Sequence, residues 1–282
     1  MRGIALSTSD LKRSDTLRGD GLRTLGGSRS GLPAIGERFA DAGIAALSFD
    51  YRYCGDSGGE PRSLVNTSRQ RDDWRAAIAF ARTLESVDPG RLAIWGYSLG
   101  GAHVQFLAAT EPGIAAAVCI SPLIDALQTL RYVGGPLHPL RLTWAGLRDW
   151  LRVVRRAEPY RIPAVGPPGS LAALNSPDAL PGFESITPSR STWRNEICAR
   201  NDLTPPYRLL RKVCHIDCPI LYCITEDDDI CPPELGKQAA KRAPRGELRL
   251  YPGGHFDAFR GETFERVCAD QLEFLRRNLL SY

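Results

Sequence analysis

Short apolar runs alternate along the chain with longer segments in which apolar residues recur at helical spacing. Continuous apolar runs of this length predict strands that are buried on both faces. Together with amphipathic helices they predict an α/β fold, in which helices cover both faces of a mostly parallel sheet. The predicted strands are residues 44–49, 91–95, 114–120, 220–224 and 247–251. The predicted helices are residues 35–42, 69–84, 102–109, a helix from residue 234 onward, and residues 264–279.

This alternation stops between residues 122 and 218. Residues 137–157 are predicted to form a helix with one apolar stripe, and residues 159–206 are rich in Pro, Ser and Gly. We interpret residues 122–218 as an inserted lid, because ligands of such sheets bind at the carboxyl ends of the strands. The alternative is a peripheral loop far from the chemistry. The stripe consists of Leu140, Trp144, Leu147, Trp150, Leu151 and Val154. Three tryptophans of this region either line an acyl pocket or form the lid core: Trp144, Trp150 and Trp193.

Composition limits the class of protein. With 282 residues, 43% of them hydrophobic, the chain is long enough for one large domain or for one domain with an insertion. Its net charge of +4 comes mostly from scattered arginines, such as Arg152, Arg155 and Arg156, which we interpret as solvated surface. No basic stripe is interleaved with aromatic residues, which argues against a nucleic-acid partner. No apolar run of about 18 residues predicts a membrane span, and no apolar signal-peptide core is found near the start.

The eight cysteines lie mostly inside apolar runs, as Cys119 and Cys223 do, and their spacing is not that of a disulfide framework. This indicates reduced thiols and a cytoplasmic protein. Cys214, His215 and Cys218 have the spacing of a metal corner. Because no second pair accompanies them, a buried or incidental cluster is the preferred interpretation, and no metal is expected.

The strongest chemical signal is a Gly-x-Ser-x-Gly motif centred on Ser98, between a predicted strand and a predicted helix. In that setting the motif is typical of a nucleophile elbow, a sharp turn that exposes a serine hydroxyl. Gly96 and Gly100 are expected there because side chains would collide with the neighbouring strand or helix. The serine lies near a helix N-terminus, where free N–H groups favour developing negative charge.

Ser98 needs a general base, because a serine alkoxide is not available at neutral pH. His255 follows the last predicted strand in a glycine-flanked loop and can reach over the elbow. The other three histidines are less suitable: His103 is expected to pack or to hydrogen-bond within its helix, His138 lies in the insertion and His215 precedes a strand.

A third residue must orient the imidazole of His255 and stabilise its cation. In this architecture it lies between the nucleophile and the histidine in chain order. Asp227, Asp228 and Asp229 follow a predicted strand in that interval. They cannot all point at the histidine, and we interpret two of them as a solvated turn.

From about residue 25 to residue 280 the chain resembles the α/β-hydrolase superfamily, and most closely the serine hydrolases of the dienelactone-hydrolase and S15-peptidase-like branch. In that family the acid is followed by two residues, then a small apolar residue or Cys, then Pro. Asp228, with Cys231 and Pro232 after it, fits this register and is the implied third member. The resemblance rests on residues 26–29, 49–59 and 72–77, the elbow, and residues 254–257.

The same resemblance implies an oxyanion hole formed by the backbone N–H groups of Leu99 and Leu25. The family has a His-Gly pair before the second donor, whereas Arg23 and Thr24 stand there in this chain. Residues 15–21 are polar where the family has an apolar central strand, and within residues 1–24 only residues 3–6 look strand-like. We therefore expect the N-terminal strands to be missing through truncation or a frame shift. The alternative is a divergent segment that still pairs.

The sequence thus predicts a serine hydrolase that cleaves an ester, thioester or related acyl bond of a small molecule, without metal or organic cofactor. An acyl or polyketide transferase using the same triad is one alternative, and a weakly active remnant with a damaged oxyanion loop is another. The expected organisation is a core of residues 25–121 and 219–282, the lid of residues 122–218 and a divergent or truncated segment of residues 1–24. Substrate identity and oligomeric state cannot be read from the sequence.

Overall fold

A computed structural model describes residues 2–8, 32–187, 193–203 and 206–280, with the backbone alone for residues 2–8, 32, 33 and 202. The described strands are β1 (Arg2–Thr8), β2 (Ala45–Phe49), β3 (Val87–Tyr97), β4 (Ala116–Ile120), β5 (Arg161–Ile162), β6 (Ile197–Cys198), β7 (Ile220–Thr225) and β8 (Gly246–Tyr251). The described α-helices are α1 (Leu32–Asp41), α2 (Thr67–Arg82), α3 (Leu99–Ala108), α4 (Ala126–Gly134), α5 (His138–Val154), α6 (Ala179–Ile186), α7 (Pro233–Arg242) and α8 (Gly261–Leu279).

The main sheet is parallel throughout its described strands, in the order β2-β1-β3-β4-β7-β8. Its strands bury alternate residues on opposite faces, as the period of two in a strand requires. In β3, Ile94 joins the apolar core under α2 and α3, and Trp95 joins the core under α1 and α8. The predicted α/β fold, a parallel sheet covered by helices on both faces, is confirmed.

β1 is the second strand of this sheet and pairs with both β2 and β3. Its register against β3 shifts between Arg2 and Ile4, while its register against β2 is regular from Ile4 to Thr8. This segment therefore pairs between β2 and β3, in the position that the family resemblance assigns to the apolar strand. Residues 9–31, which include Arg23, Thr24 and Leu25, lie outside the described residues.

Two of the boundaries that differ from the sequence prediction show the physical reasons for the difference. β3 begins four residues earlier, at Val87, because that residue packs into the core at 4% exposure and pairs with β1. α3 begins directly after Ser98, although Gly100 and Gly101 are poor helix formers. Packing determines this start, since a Cβ on Gly101 would lie 2.7 Å from the Cβ of Pro122.

The described part of residues 122–218 contains α4, α5, α6, the antiparallel pair β5–β6 and three short 3₁₀ helices. Part of this segment contacts the loops at the carboxyl end of the sheet: Val133 of α4 packs in one apolar cluster with Ile230, Cys231 and Phe256. Trp193 also borders that cluster and packs on Phe183, with ring centroids 4.5 Å apart.

The predicted helix at residues 137–157 is present as α5, but the interpretation of its apolar stripe was wrong. Trp144 is 73% exposed and Trp150 is 51% exposed, so neither lines a pocket or forms a lid core. The helix instead buries its opposite face, which carries His138, Leu142 and Asp149. Within the described part of the chain, no helix is both long and apolar enough to cross a membrane.

Candidate active site

Ser98 stands at the turn between β3 and α3 in a backbone conformation that side chains rarely adopt. Its φ of 53° and ψ of −118° lie outside the common regions, at a cost of about 1–3 kcal/mol. The strain is held by the surroundings: the Ser98 N–H donates to the Ile120 carbonyl at 3.0 Å, and the Ser98 carbonyl accepts from the Leu123 N–H at 3.0 Å. A Cβ on Gly96 would collide with the backbone of Gly100, so the turn requires glycine there.

The structure brings Ser98, His255 and Asp228 into one hydrogen-bonded chain. His255 Nε2 lies 3.1 Å from Ser98 Oγ, and His255 Nδ1 lies 2.7 Å from Asp228 Oδ2. His255 and Asp228 are almost fully buried. Because a buried carboxylate accepts the Nδ1 proton, Nε2 is left as the acceptor that faces the serine hydroxyl.

Asp228 is distinguished from its two neighbours by its contacts. Its Oδ1 accepts hydrogen bonds from the N–H groups of Ile230 at 2.8 Å and Cys231 at 2.7 Å, which orient the carboxylate toward His255. Asp227 Oδ2 instead accepts from the Gly253 N–H, and Asp229 Oδ2 from the Asp178 N–H. The tight turn after β7 thus aims one aspartate at the histidine and turns the other two elsewhere.

Two tyrosines near the site were not anticipated. Tyr97, which precedes the serine, donates its hydroxyl proton to the His255 carbonyl at 3.0 Å, and the two rings lie 4.7 Å apart. Tyr132 of α4 donates to the Asp228 carbonyl at 2.9 Å. Tyr97 occupies a variable position of the elbow motif and could have been suspected from its place. Tyr132 lies in the insertion, where no local pattern marks it.

Cys231 is a second potential nucleophile beside Ser98, with its Sγ 4.0 Å from the serine Oγ. The residue is buried, and burial together with the nearby Asp228 charge raises the pKa of the Cys231 thiol well above its usual value. The thiolate is the reactive form of cysteine. The thiol therefore stays protonated at neutral pH, and the serine is the better placed nucleophile.

The remaining histidines have other partners. His103 is buried in α3, where Nδ1 lies 2.6 Å from the Tyr207 hydroxyl and Nε2 lies 3.0 Å from the side-chain amide oxygen Oε1 of Gln70. Burial lowers the pKa of His103 to about 3. His138 Nε2 lies 3.1 Å from the Ala173 carbonyl inside the insertion. His215 is exposed, and its Nδ1 lies 3.3 Å from Cys214 Sγ.

Of the three residues with metal-corner spacing, Cys214 and His215 are exposed and in contact, whereas Cys218 lies in different surroundings. Cys218 is buried, and burial raises the pKa of its thiol to about 11, whereas Cys214 is exposed. Among the residues that the structure describes, no group of three or more His, Cys, Asp or Glu side chains is arranged to hold a metal ion.

Leu99 is the first residue of α3, so its N–H lies at the helix N-terminus directly after Ser98. The second predicted oxyanion donor, Leu25, lies outside the described residues. The described residues thus provide a serine hydroxyl on a strained backbone turn and an imidazole that can accept its proton. A buried carboxylate contacts the other side of the imidazole, and a helix N-terminus lies beside the hydroxyl.

This fold and this arrangement are those of one protein class, and the chain belongs to it: the model of the alpha/beta hydrolase family matches residues 25–268. The chain is an enzyme of the hydrolase type. Among its relatives, the quorum-quenching protein AidA of Acinetobacter baumannii (strain MDR-ZJ06) is 40% identical over 90% of this chain and 84% of AidA. The polyketide transferase ATR5 of Stachybotrys chlorohalonatus (strain IBT 40285) is 26% identical over 86% of this chain and 82% of ATR5. The crystal structure of the alpha/beta hydrolase GrgF from Penicillium sp. sh18 has a TM-score of 0.76 at 26% identity, over 99% of this chain and 91% of GrgF.

Proposed function

We propose that the chain is a serine hydrolase that cleaves an ester, thioester or related acyl bond through an acyl-enzyme. One observation carries the proposal: a continuous hydrogen-bond chain from Asp228 through His255 to Ser98, with distances of 2.7 and 3.1 Å. In the proposed roles Ser98 is the nucleophile, His255 the general base and acid, and Asp228 the residue that orients the imidazole.

The reaction proceeds in two halves. Ser98 Oγ attacks the acyl carbon while His255 Nε2 takes the hydroxyl proton, and the carbonyl oxygen becomes an oxyanion. The N–H groups of Leu99 and Leu25 stabilise that oxyanion in this proposal, at about 3 kcal/mol each. Collapse breaks the bond to the alcohol or thiol, which leaves with the proton from His255. Water then attacks the acyl-enzyme by the same route, and Ser98 recovers its proton.

Residues 122–218 are, in the same proposal, a lid on a core of residues 25–121 and 219–282, and residues 1–24 are a divergent N-terminal segment whose residues 2–8 form β1 of the core sheet. The contacts of this insertion support the lid over a peripheral loop. Tyr132 hydrogen-bonds to the backbone of Asp228, and a Cβ on Gly182 of α6 would collide with the Phe256 ring. Both contacts lie directly next to the proposed catalytic loops, so the insertion can influence which acyl groups reach Ser98.

The finer assignments are also proposals. The branch of dienelactone hydrolases and S15-like peptidases is supported by the register of residues 228–232 and by the segments around the elbow. A cytoplasmic location is supported by eight free cysteines, of which six are buried. A small-molecule acyl substrate is supported by the chemistry of the serine site.

The second candidate is an acyl transferase, in which an alcohol or a carbon nucleophile replaces water in the second half of the reaction. It uses the same three residues, and the relationship to a polyketide transferase favours it. The two activities differ in what attacks the acyl-enzyme. Hydrolysis and acyl transfer can therefore be distinguished by adding an acceptor alcohol and measuring the ratio of free acid to acyl conjugate among the products.

The first experiment is labelling of the full chain with a fluorophosphonate probe, which reacts only with an activated serine. Labelling is expected for the parent and for Ser68→Ala, a matched change at an exposed serine on α2, and is expected to disappear in Ser98→Ala. Parent enzyme that has not been exposed to the probe is then assayed on ester and thioester panels, since the label blocks Ser98; the panels include quorum-sensing signals because of the relationship to AidA. A folded parent that remains unlabelled contradicts the hydrolase proposal and favours the weakly active remnant.

A further inference from the structure

The solvent side of α5 and of the residue before it carries an apolar band that the proposed chemistry does not use. We define the apolar band as Leu137, Leu140, Trp144, Leu147, Trp150, Leu151 and Val154. All seven side chains are more than a third exposed, and Trp144 is exposed over 73% of its surface. A contiguous exposed patch of large apolar side chains is uncommon on a monomeric protein and marks an interaction surface.

The outward direction of the apolar band is fixed by contacts on the opposite face of α5. Asp149 is fully buried, and its carboxylate accepts hydrogen bonds from the Tyr160 N–H at 2.7 Å and from the Arg200 guanidinium at 3.0 Å. Leu142 and Ala145 pack with Ile162. Rotating the helix to bury the band would break the Asp149–Arg200 ion pair inside the protein, which is strongly unfavourable.

One edge of the apolar band carries a row of positive charge. Arg141, Arg148, Arg152 and Arg155 follow one another at spacings of seven, four and three residues, so they lie along one side of the helix. Three have neutral partners: Arg141 donates to the Gly169 carbonyl, Arg152 to the Glu158 carbonyl, and the Arg148 guanidinium lies 4.3 Å from the Tyr160 ring centre. Asp149, the sole acid in α5, is buried and paired with Arg200.

We propose that α5 binds the surface of an anionic lipid membrane and lies in the plane of the interface. The apolar band would enter the boundary between headgroups and acyl chains, with Trp144 and Trp150 at the depth that tryptophan prefers. The arginine row would face the lipid phosphates, which attract basic residues near an anionic membrane surface. A basic, amphipathic helix with tryptophan on its apolar side is the pattern of helices that lie on membranes.

Charge favours this occupant over a second copy of the chain. In a two-fold dimer the same patch meets itself. If the two α5 helices pack antiparallel, the two arginine rows lie along the same edge and repel each other, and α5 presents no acidic side chain to compensate them. An anionic membrane is complementary to both the apolar band and the arginine row, because it would bury the band and offer phosphate partners to the arginines.

The test is sedimentation of the full chain with vesicles of phosphatidylcholine and phosphatidylglycerol, compared with vesicles of phosphatidylcholine alone. Binding to the anionic vesicles is expected, with a blue shift of tryptophan emission, and it should weaken at high salt. Trp144→Ser combined with Leu151→Ser should lower the partition coefficient more than ten-fold, since both side chains lose apolar burial. Arg141→Gln combined with Arg155→Gln should lower it about five-fold per arginine.

The control variants replace the same kinds of side chain, one exposed apolar residue and two exposed basic residues, on helices other than α5. Phe80→Ser removes an apolar side chain that is 54% exposed on α2, and Lys241→Gln with Arg276→Gln removes two exposed charges on α7 and α8. These variants should bind like the parent. All substituted positions are exposed, and unchanged thermal melting would show that each variant is folded.

Three results would overturn the proposal. The first is a parent that does not sediment with anionic vesicles. The second is binding that survives in the Trp144/Leu151 variant or falls equally in the controls. The third is a dimer, seen by light scattering without lipid, that the Trp144/Leu151 variant converts to monomer, because a second copy would then cover the apolar band.

Discussion

Two buried aspartates, Asp228 beside the serine and Asp149 in the insertion, have nearly the same surroundings and different consequences. Each carboxylate accepts two backbone N–H groups and contacts one nitrogen-bearing side chain. Asp228 contacts His255 at 2.7 Å, and Asp149 contacts Arg200 at 3.0 Å. The arrangement of donors around the carboxylate therefore does not by itself mark a catalytic residue.

The difference lies in the partner and in the location. A guanidinium keeps its proton at every physiological pH, so the Asp149–Arg200 pair can only hold α5 in place. An imidazole, in contrast, can gain and lose a proton near neutrality. The second ring nitrogen of His255, Nε2, faces the Ser98 hydroxyl at the carboxyl end of the sheet. The comparison predicts that substitutions at the two aspartates separate activity from stability.

The largest effect is expected for Asp228→Asn. The amide keeps one oxygen for the N–H groups of Ile230 and Cys231 and turns its NH₂ toward His255 Nδ1, which stabilises the wrong imidazole tautomer. Labelling of Ser98 by the fluorophosphonate probe, measured as a second-order rate constant, should fall about 10⁴-fold. The free energy of unfolding should change far less.

The neighbouring Asp227→Asn is the control, because it makes the same chemical change one residue away at an exposed carboxylate. Its labelling rate should stay within a few-fold of the parent. If Asp227→Asn lost as much activity as Asp228→Asn, the turn as a whole rather than one carboxylate would support the reaction.

The next effect concerns stability. Asp149→Ala leaves the Arg200 guanidinium without its carboxylate and the N–H groups of Tyr160 and Arg200 without an acceptor, so the free energy of unfolding should fall by about 3–5 kcal/mol. Urea denaturation measures this loss. Asp72→Ala, which removes an exposed ion pair with Arg75, should cost less than about 1 kcal/mol. A loss below about 1 kcal/mol at Asp149 would show that the pair does not anchor α5.

The sequence predicted those features that depend on a local pattern, and it did not predict those that depend on contacts between distant residues. The alternation of apolar runs predicted the core elements, because a buried parallel strand must be apolar on both faces, and the elbow motif located Ser98 at a turn. The apolar stripe of α5 predicted a helix but not which side is buried, since that depends on Arg200, about fifty residues away. Tyr132 was missed because its contact with Asp228 exists only in the folded chain.

A third prediction extends the comparison from aspartates to leucines. Leu107 of α3 is fully buried in the core, whereas Leu147 belongs to the apolar band of α5. Leu107→Ala should lower the free energy of unfolding by about 2–5 kcal/mol through lost burial and a cavity. Leu147→Ala should change it by less than about 0.5 kcal/mol. Equal losses in urea denaturation would mean that the band is covered in solution, contrary to its exposure here.

The smallest effect is a pH dependence at His103, the buried histidine of α3. Burial lowers the pKa of this residue to about 3 in the folded protein, whereas an unperturbed histidine has a pKa of 6.5, so between these values the unfolded chain binds about one more proton. Stability then rises with pH, and it is lost as the pH falls from 6.5 toward 3, by about 1.4 kcal/mol per pH unit.

His103→Gln should remove this part of the pH dependence, measured as the free energy of unfolding between pH 6.5 and 5. Carboxylates are largely ionised in that window, and His215→Gln at an exposed site controls for the loss of a histidine. An unchanged slope in His103→Gln would mean that the folded protein accommodates a charged imidazole beside Tyr207. The buried site of His103 in α3 would then be more accessible to water than the buried Asp149–Arg200 pair that holds α5.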